Sequence, residues 1–235
     1  MNKLLITAGV IFAVSLIGLL LYASVAIPSF GMWFYYWQYD VNGTYARVNM
    51  EPEHLHEVTR HMIRYMRGLG DRETGLQILT VVGGQTRYFF SDIEIRHMVD
   101  VYDLFAIGFL LRNIFIVCIL ASCAVFALWG RNCLRILARS SQIASLSVFA
   151  ILALLAAVTA INWHSAFVVF HEIFFNNDYW ILNPAVDLLI NIVPYEFFIT
   201  LSIVLSAIFA LGLVIIFTSS TILLRRGKPF LRSLP

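Results

Sequence analysis

The chain has 235 residues, of which 60% are hydrophobic and 13% are charged, and its mean hydropathy is +0.81. This composition excludes an ordinary water-soluble domain, in which about a quarter of the residues are charged. The net charge is only +2 and comes from basic clusters beside apolar stretches, which indicates contact with anionic lipid and argues against nucleic-acid binding.

Four stretches are apolar and long enough to cross a bilayer, which takes roughly 20 helical residues. The first could instead be a cleavable signal peptide, but its apolar run is longer than the usual core of such a signal. We therefore predict an all-α polytopic membrane protein that forms a single membrane domain over residues 1–235. Its four predicted transmembrane helices are residues 4–27, 104–130, 143–162 and 197–224.

Acidic and basic residues are segregated along the chain. All fourteen Asp and Glu fall within residues 28–103 and 163–196, whereas Lys3, residues 131–142 and residues 225–235 hold eight Lys and Arg and no acid. Positive charge favours the cytoplasmic side of a membrane protein. We therefore predict that both termini and the loop over 131–142 are cytoplasmic, and that the acidic segments lie outside.

The first outer segment, residues 28–103, predicts an extracellular cap of mixed helix and short strands. It begins with seven aromatic residues between Phe30 and Tyr39, a cluster typical of an interfacial belt, with a ligand-stacking surface as the alternative. Apolar residues at helical spacing then predict an amphipathic helix from Pro52 to about Gly68. We expect that helix on the membrane surface or against the outer ends of the spans.

The rest of the cap shows two local signals. Residues 77–82 and 86–90 predict a short hairpin or an extended pair, separated by Gly83-Gly84-Gln85. The sequence Ser91-Asp92-Ile93-Glu94 has the spacing of a capping box, so a helix is predicted to begin there and to continue into the second span.

The second outer segment, residues 163–196, is too apolar for an ordinary loop, and we predict that it dips into the membrane interface. Within it, Asn183-Pro184 predicts the start of a short helix that ends near Pro194.

Histidines are the most informative polar residues, and all six fall in the outer segments or at their boundaries. Asp100 follows His97 by three residues on one helix face, where a carboxylate can orient an imidazole that acts as a general base. His171 lies among aromatic residues at the predicted interface, where an ionisable side chain needs an explanation. From the residues alone, each of these two histidines could be a site residue or an interfacial anchor.

The other histidines are interpreted as solvated or interfacial. His54, His56 and His61 lie in the predicted amphipathic helix, and His164 ends the third span. A metal site is the alternative for the first three, but it would need three or four ligands with supporting contacts.

Arg112 is the one full charge inside a predicted span. It could pair with a buried carboxylate or line a polar groove for lipid, or it could pack inward on a backbone or amide partner. Cys118 and Cys123 lie in the second span and Cys133 in the cytoplasmic loop. We therefore expect no disulfide framework and no thiol nucleophile on the outer side.

The chain resembles the lipoprotein intramolecular transacylase family of bacteria over nearly its whole length. The specific part of the resemblance is two motifs, Ser91 to Val101 (SDIEIRHMVDV) and Phe170-His171 followed by Asn177, Trp180 and Pro184. The resemblance implies a membrane acyltransferase that moves the sn-2 acyl chain of a diacylglyceryl lipoprotein onto the α-amine of its own amino-terminal cysteine. The product is the lyso-form lipoprotein.

The two essential histidines of that family match His97 and His171, so we predict these as the catalytic pair, by general base and oxyanion catalysis. The candidate orienting or substrate-binding residues are Asp100, Asn177, Trp180 and Arg112. We expect no metal, nucleotide or redox cofactor, because transfer from an ester to an amide is downhill and the substrate supplies the nucleophile.

The expected partners are a diacylated lipoprotein with its acyl chains and membrane lipid, but neither nucleic acid nor nucleotide. The expected location is the bacterial cytoplasmic membrane, with the active site at the outer leaflet. Two alternatives remain open. One is a metal-dependent membrane hydrolase that uses His54, His56 or His61 with His97 and His171, and the other is a non-enzymatic assembly protein whose cap binds another membrane protein.

Overall fold

The computed structural model describes residues 3–129 and 133–226. Within these residues the chain is mostly helical, with one two-stranded sheet, which confirms the predicted fold class. The elements are α1 Lys3–Phe30, α2 Met32–Asn42, α3 Thr44–Val48, α4 Pro52–Met66, β1 Leu79–Val82, β2 Gln85–Tyr88, α5 Asp92–Trp129, α6 Cys133–Ile161, α7 Trp163–Phe174, α8 Leu189–Ile192 and α9 Tyr195–Arg226. Four of these helices, α1, α5, α6 and α9, are long and apolar enough to cross a membrane.

The first of two compact units comprises the described residues of 1–24, 110–158 and 206–235. Its interior contains Ile17, Phe209 and Leu213, which are buried. Small residues let its helices approach closely, since a side chain added at Gly18 would lie 2.5 Å from the ring of Phe115. Close packing at small residues helps to hold membrane helices together where lipid removes the hydrophobic driving force between them.

The outward faces of this unit are apolar. Leu120, Leu154 and Leu211 each leave more than half of their surface uncovered by protein. In water such a surface would aggregate, whereas hydrocarbon chains solvate it well.

The second compact unit comprises residues 25–109 and 159–205, and it has the larger core. Helix α4 contributes its apolar face to this core, which confirms the amphipathic helix and shows that protein covers it. The Tyr39 hydroxyl lies 2.8 Å from Thr59 Oγ1, so these two buried polar groups satisfy each other inside the core. The main core residues are Phe34, Tyr35, Tyr39, Leu55, Val58, Met62, Tyr65, Leu76, Phe89, Met98, Ile192 and Phe197.

The aromatic cluster forms helix α2, an element that the sequence analysis did not predict. Phe34 and Tyr39 are fully buried, whereas Trp33 and Trp37 are exposed. Helical periodicity therefore divides the cluster into a core face and an outer face. Only the outer face is available as the predicted interfacial belt.

The predicted hairpin is present but its turn is tighter. Strands β1 and β2 pair antiparallel, with Val82 opposite Gln85, so Gln85 belongs to a strand and not to the turn. Gly83 and Gly84 have φ values of 58° and 78°. Two consecutive left-handed residues are what a two-residue hairpin turn requires, and glycine adopts them without steric cost.

Within the second outer segment, Trp163–Phe174 forms the regular helix α7. The predicted short helix starts later than expected, because α8 begins at Leu189 and not at Pro184. The reason is local hydrogen bonding, because Asn183 Oδ1 accepts from the Ala185 N–H and Asp187 Oδ2 accepts from the Asn183 N–H, which closes a turn there.

Candidate active site

Helix α5 positions His97 through a capping box. The Ser91 N–H donates to Glu94 Oε2 at 2.6 Å, and the helix begins at Asp92, as predicted. Glu94 is buried and also accepts from the N–H of Leu189, which ties the start of α8 to the first turn of α5. Asp187 extends this network because its carboxylate accepts from the Ser91 hydroxyl at 2.9 Å.

Helix α7 positions His171. Asn162 caps this helix by accepting from the Ser165 N–H at 3.0 Å, and His171 is the buried residue near its end. His171 Nδ1 lies 2.7 Å from the carbonyl oxygen of Phe167, one turn earlier. A carbonyl oxygen only accepts, so Nδ1 carries the proton, and Nε2 of the neutral ring is the nitrogen that can accept one.

The two helices bring the predicted catalytic histidines together. The ring centroids of His97 and His171 are 6.2 Å apart. The ring of Phe175 lies 5.4 Å from His97 and 5.5 Å from His171, and Trp180 stacks on His171 at 4.7 Å. Aromatic rings therefore pack against both imidazoles and restrict their orientation.

Asp100 and Asn177 connect helix α5 to the segment that carries Trp180. Asn177 Nδ2 donates to Asp100 Oδ2 at 2.9 Å, and Asn177 Oδ1 accepts from the Tyr179 N–H at 3.0 Å. The Asp100 carboxylate accepts from Asn177, and His97 Nδ1 is not bonded to it. The sequence could not show this, since Asn177 comes from a separate part of the chain.

His97 has a different environment from its partner. Its Nδ1 is buried and has no hydrogen-bond partner among the described residues. Leaving a buried polar atom unpaired costs about 1–3 kcal/mol, so native structures rarely do so without a reason. At a candidate active site, a substrate that bonds to this nitrogen when it binds would be such a reason.

Burial lowers the pKa of His171 below its ordinary value near 6.5, and the hydrogen bond to the Phe167 carbonyl opposes this only in part. The imidazole is consequently neutral at neutral pH. A neutral imidazole with an accessible Nε2 can remove a proton from an attacking group.

The remaining sequence candidates lie elsewhere. Arg112 belongs to the first compact unit, where it donates to Asn113 Oδ1 and lies 5.4 Å above the ring of Tyr22. An amide partner fits the packing interpretation of this residue. Cys118 and Cys123 are free thiols of the same unit, and the side chain of Cys133 lies outside the described residues.

The α4 histidines are less solvated than expected. His56 stacks on Tyr36 with centroids 3.8 Å apart and lies 2.9 Å from the Tyr45 hydroxyl, and His61 Nε2 is buried. The contact of His56 with Tyr36 could not be predicted, because Tyr36 lies in helix α2, which the sequence did not indicate. Within residues 3–129 and 133–226, no group of three or more His, Cys, Asp or Glu could hold a metal ion, so His54, His56 and His61 form no ligand set with the catalytic candidates.

Sequence reasoning missed three contributors to the site, namely the Phe167 carbonyl, the Phe175 ring and the Glu94–Asp187 network. Helical spacing would have found the first, because Phe167 precedes His171 by four residues. The network joins residues about 95 positions apart and leaves no local signal.

Four long apolar helices and a pair of histidines beside aromatic rings define a multi-pass membrane protein with a candidate acid–base site. The family model for the lipoprotein intramolecular transacylase Lit matches residues 10–198. The chain belongs to this family. Among curated proteins, none matches the chain significantly.

Solved structures of a relative support the shared fold. The membrane-integral lipoprotein intramolecular transacylase Lit from Bacillus cereus is 19% identical, with a TM-score of 0.78 over 94% of this chain and 95% of that chain. Two variants of the same Bacillus cereus protein, with one histidine replaced by arginine or by alanine, are each 18% identical with a TM-score of 0.70. They cover 94% of this chain and 92% and 93% of their own chains.

Proposed function

We propose that this acyltransferase moves the sn-2 acyl chain of a diacylglyceryl lipoprotein to the α-amine of the same amino-terminal cysteine. Family membership supports the lipoprotein substrate. The observation that carries the chemistry is the pair of neighbouring histidines, in which the Nε2 of His171 can accept a proton and the buried Nδ1 of His97 lacks a partner among the described residues.

In the first step the α-amine nitrogen attacks the ester carbonyl carbon. The new C–N bond makes the nitrogen positive, and His171 Nε2 takes its surplus proton. An α-amine has a pKa of about 7.7–8.0, so a substantial fraction is neutral and nucleophilic near neutral pH. The enzyme needs no nucleophile of its own, because both reacting groups arrive on one substrate.

In the second step the tetrahedral intermediate loses the glycerol oxygen. The C–O bond breaks, and the proton held by His171 is returned to that oxygen, which becomes the free hydroxyl of the lyso product. His97 supplies a hydrogen bond to the oxygen that carries negative charge in the intermediate. Donors aimed at a developing oxyanion are worth about 10²–10³ in rate.

We propose further that the site faces the outer leaflet and that both termini are cytoplasmic. The segregation of all fourteen acids from the basic flanks supports this orientation. The substrate cysteine would then lie at the outer interface, with its acyl chains among membrane lipid.

The test is mass spectrometry of a diacylated lipopeptide after incubation with purified protein. Wild-type protein should form a lyso product of unchanged mass whose acyl group is on nitrogen. His171→Ala should lower the rate by about 10²–10⁴, as loss of a general base does, and His97→Ala by about 10²–10³. The double variant should be little worse than the poorer single one, because both groups act on one intermediate.

His54→Ala is the matched control, since this half-exposed histidine lies outside the pair. It should retain activity within about twofold, as surface substitutions usually do. Near-normal product from either His97→Ala or His171→Ala would contradict the catalytic pair. If a chelator abolished activity, and variants of the α4 histidines also lost activity, the metal-dependent hydrolase would be favoured instead.

A further inference from the structure

The second unit contains a polar cleft that is not part of the histidine pair. Its volume is about 520 Å³, within the range of sites for small ligands or short peptides. Three segments line the cleft. They are the C-terminal end of α3, strand β2, and the turn and helix within residues 184–191. The lining residues are Arg47, Val48, Asn49, Arg87, Pro184, Ala185, Val186, Leu188 and Asn191.

The cleft offers positive charge without a matching acid. Neither Arg47 nor Arg87 forms an ion pair with a carboxylate in residues 3–129 and 133–226. Arg47 donates one hydrogen bond to the Asn42 carbonyl and Arg87 one to the Tyr88 carbonyl, which leaves most of the five donors of each guanidinium for a ligand. A ligand with carboxylate or carbonyl oxygens fits these donors.

The cleft also offers an acceptor. Both amide hydrogens of Asn191 are used inside the protein, donating to the carbonyls of Pro184 and Asp187 at 2.8 and 2.7 Å. Its Oδ1 is therefore the group that it can present to a ligand. A phosphodiester has only acceptors, whereas a peptide offers N–H donors as well as oxygens, so the lining favours a peptide.

Two lining segments lead directly to the candidate active site. Arg87 precedes Ser91 by four residues, and His97 follows Ser91 by six within α5. At most roughly 23 Å of chain separates Arg87 from His97, from about 3.5 Å per extended residue and 1.5 Å per helical residue. On the other side, Pro184 follows Trp180 by four residues, and Trp180 stacks on His171.

We propose that this cleft binds the peptide segment that follows the acylated cysteine of the lipoprotein, and that Arg47 and Arg87 select an acidic side chain in it. The proposal rests on the proposed transacylase function. The distance between Arg87 and His97 is at most roughly 23 Å, and an extended peptide advances roughly 3.3 Å per residue. The preferred acidic residue should therefore lie within about seven positions of the cysteine.

The experiment uses three diacylglyceryl lipopeptides that differ only in carrying Glu, Gln or Lys at positions three to six after the cysteine. The wild-type protein is compared with R47Q, R87Q, the double R47Q/R87Q variant and the charge-reversed R47E/R87E variant, with R64Q on α4 as a control. Arg64 is exposed and does not line the cleft. Initial rates of lyso product give kcat and KM in detergent, and in phosphatidylcholine vesicles with and without phosphatidylglycerol.

The wild type should prefer the Glu peptide in KM, and R47Q/R87Q should raise KM for that peptide about three- to tenfold with kcat unchanged, as expected for two exposed charge pairs. R47E/R87E should prefer the Lys peptide. R64Q should match the wild type. A change of preference from the Glu peptide to the Lys peptide requires the two side chains to interact with the peptide. If Arg47 and Arg87 only stabilised the fold, reversing their charge would not change which peptide is preferred.

Three outcomes would overturn the proposal. Equal KM values for all three peptides, unchanged in R47Q/R87Q, would leave the transacylase function intact and remove only the cleft. A loss that depends on phosphatidylglycerol and not on the peptide would assign the cleft to lipid headgroups. A wild-type protein that converts none of the lipopeptides would overturn the transacylase proposal itself.

Discussion

His97 and His171 differ in one hydrogen bond at Nδ1, and this difference suits them to different proposed roles. His171 donates through Nδ1 to the Phe167 carbonyl, whereas His97 Nδ1 has no partner within the described part of the chain. The first imidazole is thereby set as a proton acceptor at Nε2. The second keeps an unsatisfied polar atom that substrate can satisfy.

The pH dependence of kcat/KM follows from these groups. In the proposed mechanism His171 is the base and must be neutral, and burial lowers its pKa below the ordinary value of about 6.5. The substrate amine must also be neutral, with a pKa of about 7.7–8.0. We expect log(kcat/KM) to fall with a slope of one below about pH 8, and with a slope of two only below the lowered pKa of His171.

Initial rates between pH 5 and 9 measure this profile. Replacing the substrate amine by one of lower pKa should move the upper break to lower pH and leave the lower break in place. A slope of two that begins above pH 7 would contradict a lowered pKa for His171.

At the scale of elements, the site depends on how α5, α7 and the segment after α7 are fixed to one another. Glu94 accepts from the backbone of Ser91 and of Leu189, and Asp187 accepts from Ser91 and from the backbone of Asn183. Two buried carboxylates thus hold the start of α5 against the residues that lead into α8. Asp100 and Asn177 make the second connection, near the histidines.

Glu94→Ala should lower the free energy of unfolding by about 1–3 kcal/mol, because it leaves two buried N–H groups without acceptors. Glu94→Gln should cost less, since its single oxygen still accepts from one of them. Thermal unfolding in detergent measures both. Exposed Glu57→Ala is the control, and a Glu94→Ala variant as stable as this control would show that the network contributes nothing.

The regular elements were predictable where the signal was local. The four long helices, the α4 helix, the hairpin and the capping box at Ser91 all follow from periodicity, turn residues or a fixed spacing. Helix α7 was not predicted because its aromatic residues also suit a membrane interface. The start of α8 depends on Asp187, whose partners at Ser91 and Asn183 cannot be deduced from neighbouring residues.

In the candidate site, too, residues with a local sequence signal could be predicted and long-range partners could not. His97 and His171 came from motifs, and the structure brings them together. The partner of Asp100 could not be predicted, because a side chain on a helix can bond to any group that the fold brings to that face. Asn177 lies 77 positions away in the chain.

At the scale of the whole molecule, charge and apolar length determine the proposed topology. Reporter fusions after Pro235 and within the 131–142 loop should report the cytoplasm, and insertions near Asn42 and Asn177 should report the outside. The reason is that all fourteen acids fall in the two proposed outer segments. A cytoplasmic signal from the insertion near Asn42 would overturn this orientation.

The cysteines provide a separate test of mechanism. Replacing Cys118, Cys123 and Cys133 together by Ser should leave kcat within a few-fold, because the substrate amine is the nucleophile in the proposed mechanism. The two thiols that the structure describes also belong to the first unit, whereas both histidines belong to the second. A loss of several hundred-fold in a folded variant would indicate an enzyme thiol in the reaction.

The unpartnered Nδ1 of His97 has a consequence for inhibition. In the proposed mechanism this atom donates to the oxyanion of the tetrahedral intermediate, so a tetrahedral group with a charged oxygen should fit the site better than a planar ester does. A phosphonate lipid that replaces the reactive ester should therefore bind far more tightly than substrate, since mimics of transition states gain about 10²–10⁸ in affinity. Such a compound would be both a selective inhibitor and a means of holding the enzyme in its reacting geometry.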